Sequence, residues 1–314
     1  MKIEKTVRQF VERRLDKGRP LLVALSGGPD SRALFELLKT FPIAAAHLDH
    51  GWREESAEEA RQLERIVCEA GVPFHLKRLE LGEGKSLEER GRQERLRFFA
   101  MLCREHGYQG VALGHHADDR AETVLKRVFE GAALPLAGTM QEYSDYRGVA
   151  LYRPLISLTK REIGDYLERL GINAFDDSSN RNRRFLRARM REELFPFLEE
   201  RFGKRVRPNL ARLGEEAEQL SDYLKQQLKP YREKLARGKN SLFLDLTRQF
   251  PEHPYLLRQV VKMVEGEAGL GLSRQQLEAV CRLLEEGVGG KRVETARGIL
   301  RVCGRRLDAE IKVC

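Results

Sequence analysis

The sequence predicts an α/β fold: a parallel sheet with helices on both faces, then a helical linker and a small C-terminal α+β domain. Three observations carry this. Short apolar runs alternate with amphipathic helical stretches as far as Phe129, the pattern of successive βαβ units. Polar clusters at Ser26–Ser31, His47–Arg53 and His115–Glu122 each end or follow a predicted strand, where parallel sheets bind their ligands. From Leu242 onward the pattern changes to a strand, two helices and a hairpin.

An amphipathic helix opens the chain. The run Leu21-Leu22-Val23-Ala24-Leu25 reads as a buried strand, stopped by Ser-Gly-Gly-Pro-Asp-Ser and followed by a helix over Arg32–Lys39. Ile43–Leu48 reads as the second strand, Glu54–Ala70 as a charged helix and Phe74–Leu81 as the third strand. Ser86–Glu105 is a long helix with Ser86 and Glu89 at capping-box spacing. Gly110–Gly114 is a short strand and Ala117–Phe129 a helix. The pattern blurs after Gly131, apart from a helix over Thr159–Leu170 and a polar loop over Asp176–Arg184. Arg189–Leu235 reads as mostly helical, interrupted near Gly203–Pro208. Leu242–Leu246 suggests a strand, Tyr255–Val264 and Ser273–Glu285 helices, and Arg297–Val313 a hairpin turning near Gly304-Arg305. The expected division is 1–205, a linker over 206–236, and 237–314.

The length, 314 residues, suits two domains with real cores. Its 41% hydrophobic and 33% charged residues fit a globular chain rather than a disordered one. No apolar run is long enough to span a membrane, and the N-terminal stretch has no apolar signal core, so a cytoplasmic protein is expected. The five cysteines, Cys68, Cys103, Cys281, Cys303 and Cys314, form no C-x-x-C pair, which argues against a disulfide framework or a Cys₄ zinc site. The net charge is +9, and from Arg181 to Arg212 eleven basic residues face four acids. Nearly all are arginine, suited to bidentate phosphate contact, so a polyanion such as a nucleic acid is the expected partner.

Ser26-Gly27-Gly28-Pro29-Asp30-Ser31 lies between a strand and a helix. Its glycines let backbone approach a ligand, its N–H groups and the helix N-terminus form an anion nest, and its two serines offer hydroxyl donors. It lacks the lysine of a G-x-x-x-x-G-K-S/T loop. Asp119 and Glu122 stand three apart on one helix face. Each cluster also has a plain reading: a polar turn, a solvated helix start, and, for Arg92 and Arg95, surface ion pairs.

The loop resembles the PP-loop of the N-type ATP pyrophosphatases, in which it grips the β,γ-pyrophosphate while ATP is attacked at the α-phosphate. Four more stretches narrow the resemblance. His47-Leu48-Asp49-His50-Gly51-Trp52-Arg53, Gly91-Arg92-Gln93-Glu94-Arg95, His115-His116-Ala117-Asp118-Asp119-Arg120-Ala121-Glu122-Thr123 and Arg187-Ala188-Arg189-Met190-Arg191 are similar, in order and spacing over about residues 20–200, to the motifs of the tRNA(Ile)-lysidine synthase family. Ala188 replaces a usual Asn, and Leu96 a common aromatic. The final domain carries no motif that can be matched residue by residue.

The resemblance implies ligation of free L-lysine to C2 of the wobble cytidine of tRNA(Ile) with a CAU anticodon, through an adenylated cytidine, with pyrophosphate and AMP as products. It implies ATP contacts from Ser26, Gly27, Gly28, Pro29, Asp30, Ser31, His50, Arg53 and His115, and catalytic roles for Asp30, Asp119 and Glu122. Asp30 and Asp119 are the expected Mg²⁺ residues; Arg92, Arg95, Arg187, Arg189 and Arg191 are the expected tRNA contacts. Rival readings are another PP-loop tRNA-modifying enzyme such as a thiolase, a metabolic synthetase, and an RNA-binding protein with a vestigial nucleotide fold. The missing C-x-x-C opposes an iron–sulfur thiolase, the arginine cluster opposes a metabolic enzyme, and the intact acids oppose a vestigial site.

Overall fold

The computed structural model describes residues 2–49, 51, 56–79, 87–134, 140–175, 186–203 and 205–312. It divides into two compact units, 1–218 and 219–314.

In the first unit α1 (Lys2–Arg14) precedes β1 (Leu21–Ala24), α2 (Pro29–Leu38), β2 (Ile43–Asp49), α3 (Ser56–Glu69), β3 (Phe74–Arg78), α4 (Leu87–His106), β4 (Val111–Ala112) and α5 (Ala117–Phe129). The hairpin β5 (Tyr143–Tyr146) and β6 (Val149–Tyr152) and helix α6 (Lys160–Arg169) follow. The strand order is β3-β2-β1-β4-β6-β5, parallel throughout except between β5 and β6. The central strand is apolar on both sides, as a strand covered on both faces must be. Leu21 and Val23 enter a core with Phe10 of α1, Phe35 of α2, Leu63 of α3 and Ile163 of α6. Leu22 points the other way, into a core with Phe98, Phe99 and Leu102 of α4. Each such fully buried leucine or phenylalanine contributes about 1.5–3 kcal/mol.

The β5–β6 hairpin lies where the sequence pattern blurs. Tyr146 pairs with Val149 across the two-residue turn Arg147-Gly148, and both turn residues have positive φ, 52° and 80°. That backbone suits Asn-Gly; an arginine in its first position hides the turn from a sequence reading.

α7 (Leu186–Arg189) runs without a break through a π-helical turn (Met190–Leu194) into α8 (Phe195–Phe202). Phe195 N–H bonds to Met190 O, five residues back. Pro196, at the start of α8, has no N–H to give and would crowd a tighter turn. Gly203, at φ 55°, ends α8, and α9 (Val206–Glu233) begins after it, close to the expected interruption. These helices share a small core with α5: Ala121 and Leu125 meet Met190, Phe195 and Ala211. The boundary between the units falls within α9, the helix expected as a linker.

The second unit continues with β7 (Ala236–Arg237), β8 (Ser241–Asp245), α10 (Pro254–Ala268), α11 (Arg274–Glu286), β9 (Lys291–Thr295), β10 (Gly298–Val302) and β11 (Arg306–Ile311). Its antiparallel sheet, ordered β7-β8-β11-β10-β9, packs Leu244, Leu300 and Leu307 against Val260, Val264 and Val280 of the helices. The expected strand, helices and hairpin are all present. β7 and β9 went unseen because one has two residues and the other, Lys-Arg-Val-Glu-Thr, is a largely exposed edge strand with almost no apolar signal. No helix among the described residues is long and apolar enough to cross a membrane.

Candidate functional site

The adjacent parallel strands β2, β1 and β4 bring the described parts of the predicted clusters to one sheet edge, at their carboxyl ends. After β1, Gly27 takes φ 89°, and a Cβ there would stand 2.4 Å from the Phe175 ring, so only glycine fits. Of the two serines expected as hydroxyl donors, Ser26 is exposed and Ser31 is not. The Ser31 hydroxyl is buried and accepts the N–H groups of Ser26 and Gly27, each at 3.1 Å, while donating to Gly28 O at 3.0 Å. It ties the loop shut on itself. Gly28 caps α2 without a side chain and Pro29 starts the helix, which leaves the α2 N-terminus open to an anion.

His47 on β2 is buried and its Nδ1 lies 2.8 Å from Leu25 O, fixing the backbone that leads into the loop. Burial holds its pKa below the usual histidine value, outweighing the Leu25 carbonyl and nearby acids that raise it. Unfolded, the ring protonates below about pH 6.5; folded, it does so only at lower pH. Its contribution to stability is therefore present above about pH 6.5 and lost as pH falls, by up to about 1.4 kcal/mol per pH unit. The His47→Asn variant, which keeps an N–H donor but cannot titrate, should show a shallower acid decline in urea unfolding from pH 7 to 5. An unchanged decline would reject this role.

After β4, His116 caps α5. Its Nδ1 lies 3.2 Å from Asp118 N, and Asp119 Oδ2 accepts His116 N–H at 3.0 Å. The His116 Nε2 lies 3.6 Å from Asp30 Oδ2 and 3.5 Å from Asp119 Oδ2. Thus acids from two separate motifs, distant in sequence, meet at one ring nitrogen. Burial opposes a charged ring here, but Asp119, Asp30 and Asp118 outweigh it and push the His116 pKa up to about 9. Burial likewise works against an ionised Asp119, yet His116, His115 and Arg191 hold its pKa below the usual carboxylate value. Glu122 is the opposite case: 2% exposed, its pKa is raised by burial, and Arg191 only partly offsets this.

Arg191, expected at the tRNA, is placed in this acid cluster. It grips Glu122 with two nitrogens, Nη2 lying 3.2 Å from Oε2, and reaches Asp119 Oδ1 at 3.7 Å. Arg187 reaches the Thr123 hydroxyl at 3.4 Å, and Arg189 is exposed. On α4, Arg92 is exposed and Arg95 half-buried. His115, next to the cap, has its Nδ1 buried without a hydrogen-bond partner. His50 and Arg53 lie outside the described residues. The sequence reading missed His116 as the ring between the acids, and missed Arg120. That arginine is buried on the site helix α5 and bonds to Glu215 at 2.7 Å and Glu218 at 3.4 Å, anchoring α9 against it. The spacing of His115 and His116 gives no sign of which ring would face the acids.

A parallel sheet, an open helix N-terminus after β1 and acids after β4 define a nucleotide-binding α/β site of the PP-loop class, and a model of the PP-loop domain matches residues 1–198. In the solved structures, the U34-tRNA thiolase NcsA of Methanococcus maripaludis shares the fold. Its TM-score is 0.56 at 18% identity, over 69% of this chain and 79% of that one. Among curated relatives, the tRNA(Ile)-lysidine synthase of Chlamydia muridarum is 42% identical over 85% of this chain and 84% of its own. That of Chlamydia felis is 37% identical over 92% of this chain and 94% of its own. The chain belongs to the tRNA(Ile)-lysidine synthase family.

Proposed function

We propose that this chain joins free L-lysine to C2 of the wobble cytidine of tRNA(Ile) with a CAU anticodon, using ATP. The observation that carries the reading is the meeting of Asp30, Asp119 and Glu122 beside the open N-terminus of α2. The cytosine O2 attacks the α-phosphorus of ATP, the bond to the β-phosphate oxygen breaks, and pyrophosphate leaves. The lysine Nε then attacks C2, the C2–O bond breaks, and AMP leaves. The α2 N-terminus and the loop backbone hold the departing pyrophosphate, where fixed dipoles stabilise developing charge.

The lysine amine must lose a proton, which costs about 4 kcal/mol near pH 7.5 for a group of pKa about 10.4. The two acids of α5 divide the work according to their surroundings. Glu122, whose pKa is raised, accepts the proton; Asp119, whose pKa is lowered, stays ionised. Asp30 and Asp119 fit Mg²⁺: the two carboxylates converge on the same side chain, His116, and Asp30 Oδ1 is buried with no hydrogen-bond partner. Mg²⁺ commonly takes one or two protein carboxylates and completes its shell with phosphate oxygens and water. When bound there, Mg²⁺ would offset triphosphate charge beside the two aspartates.

The second unit is assigned to tRNA binding. Residues 219–314 hold 18 basic and 12 acidic side chains, an excess that suits a phosphate backbone. The test is ATP-dependent incorporation of labelled lysine into unmodified tRNA(Ile) bearing CAU, with tRNA(Met), which shares that anticodon, as control. Labelling of the first alone is expected. No labelling by folded, ATP-binding protein would overturn the reading.

A further inference from the structure

We propose that Arg153, with Arg92, Arg95 and Arg187, forms a pocket beside His115 that grips a backbone phosphodiester of the tRNA next to the base under attack. The inference rests on the tRNA-modifying reading above. Arg153 is the first residue past β6. Tyr152 pairs with Ala112, and Leu113 N–H donates to Tyr152 O at 2.8 Å, so Arg153 leaves the sheet beside the segment that leads to His115. It is 9% exposed. Its Nη1 donates to Gln141 O at 2.8 Å and the Ser144 hydroxyl at 3.0 Å, but its Nε is buried without a partner.

Its neighbours are cationic. Burial, then Arg92, bring the Arg153 pKa down to about 10, with Arg120 adding to the effect and Glu218 opposing it. Burial keeps His115 neutral; Asp119 opposes this, and Arg153, Arg95 and Arg187 help to depress its pKa to about 3. A buried guanidinium among like charges is unfavourable alone, and a bound anion relieves it. Phosphate oxygens suit such a guanidinium cluster. The loop at β1 already serves the triphosphate. Arg153 sits two strands away, about 10 Å across the sheet. Arg92 is exposed and Arg187 half-buried, so a macromolecule can approach from their side.

The test compares tRNA binding over a range of salt, ATP binding and thermal unfolding in the full-length protein. Arg153→Gln should weaken tRNA binding at least tenfold and reduce the salt slope by about 0.7–0.9, with ATP affinity unchanged. Ser144→Ala removes one structural contact of Arg153 but no charge, and should keep the wild-type slope. A wild-type slope in Arg153→Gln overturns the proposal. So does lost ATP affinity with intact tRNA binding, which would put the pocket on ATP instead. Should Arg153→Gln fail to fold, Arg92→Gln at the exposed edge must lower the slope; a wild-type slope there also overturns it. Binding slopes do not depend on turnover, so failure here is separable from failure of the lysine-incorporation test.

Discussion

Asp119→Asn should slow lysidine formation by about 10²–10⁴-fold while leaving the fold intact. The amide keeps an oxygen to accept His116 N–H, so the α5 cap survives. The charge is what disappears. Asp30 then faces the His116 ring without its partner acid, and Arg191 loses the second carboxylate it reaches. Single-turnover lysine transfer at saturating ATP, beside a thermal melt, measures both halves of the expectation. Turnover within a few-fold of wild type would remove Asp119 from the chemistry.

Arg191→Met should destabilise the first unit by about 3 kcal/mol, the low end of the range for a buried pair that loses one member, because Arg191 is itself 30% exposed. Glu122 is almost wholly buried and both its oxygens are held by Arg191. Left alone, it must bury a charge or take up a proton. Its folded pKa is already raised by burial, and loss of the guanidinium raises it further. A carboxyl with a raised folded pKa is most stabilising in acid, so the variant should regain stability as pH falls and lose it as pH rises through that value. Glu122→Gln combined with Arg191→Met should recover most of the stability but none of the activity. Urea unfolding of the single and double variants checks this, and strictly additive losses would show that the two residues are uncoupled.

What the sequence made legible was local. The strand–SGGPDS–helix segment and the acids of α5 are each contained in one short stretch, and their chemistry follows from residue type and spacing. Partners distant in the chain were not legible. Nothing near Glu122 announces Arg191, sixty-nine residues on, and an isolated Arg153 after a strand carries no motif. Arg191 is a further case: its place in a basic run suggested phosphate, and the fold pairs it with Glu122 and Asp119. His47 looked like part of a ligand-binding motif, and its Nδ1 lies on the Leu25 carbonyl just past the preceding strand. Such assignments depend on which way a side chain turns at a strand end, and residue spacing does not encode that.

The π-turn at Met190–Leu194 sets a phase. An α-helix advances about 100° per residue, and the wider turn inserts one residue that the regular spiral would not hold. Before it, Arg187 reaches towards α5; within it, Arg191 clasps Glu122; after it, Phe195 and Leu198 join the apolar contact with Ala121 and Leu125. Deleting one residue would restore an ordinary spiral and rotate one half against the other by about 100°. Either the guanidinium or the phenylalanine would then face water. The length of this segment is thus as constrained as its composition, because one irregular turn keeps a polar row and an apolar row in register on the same helix.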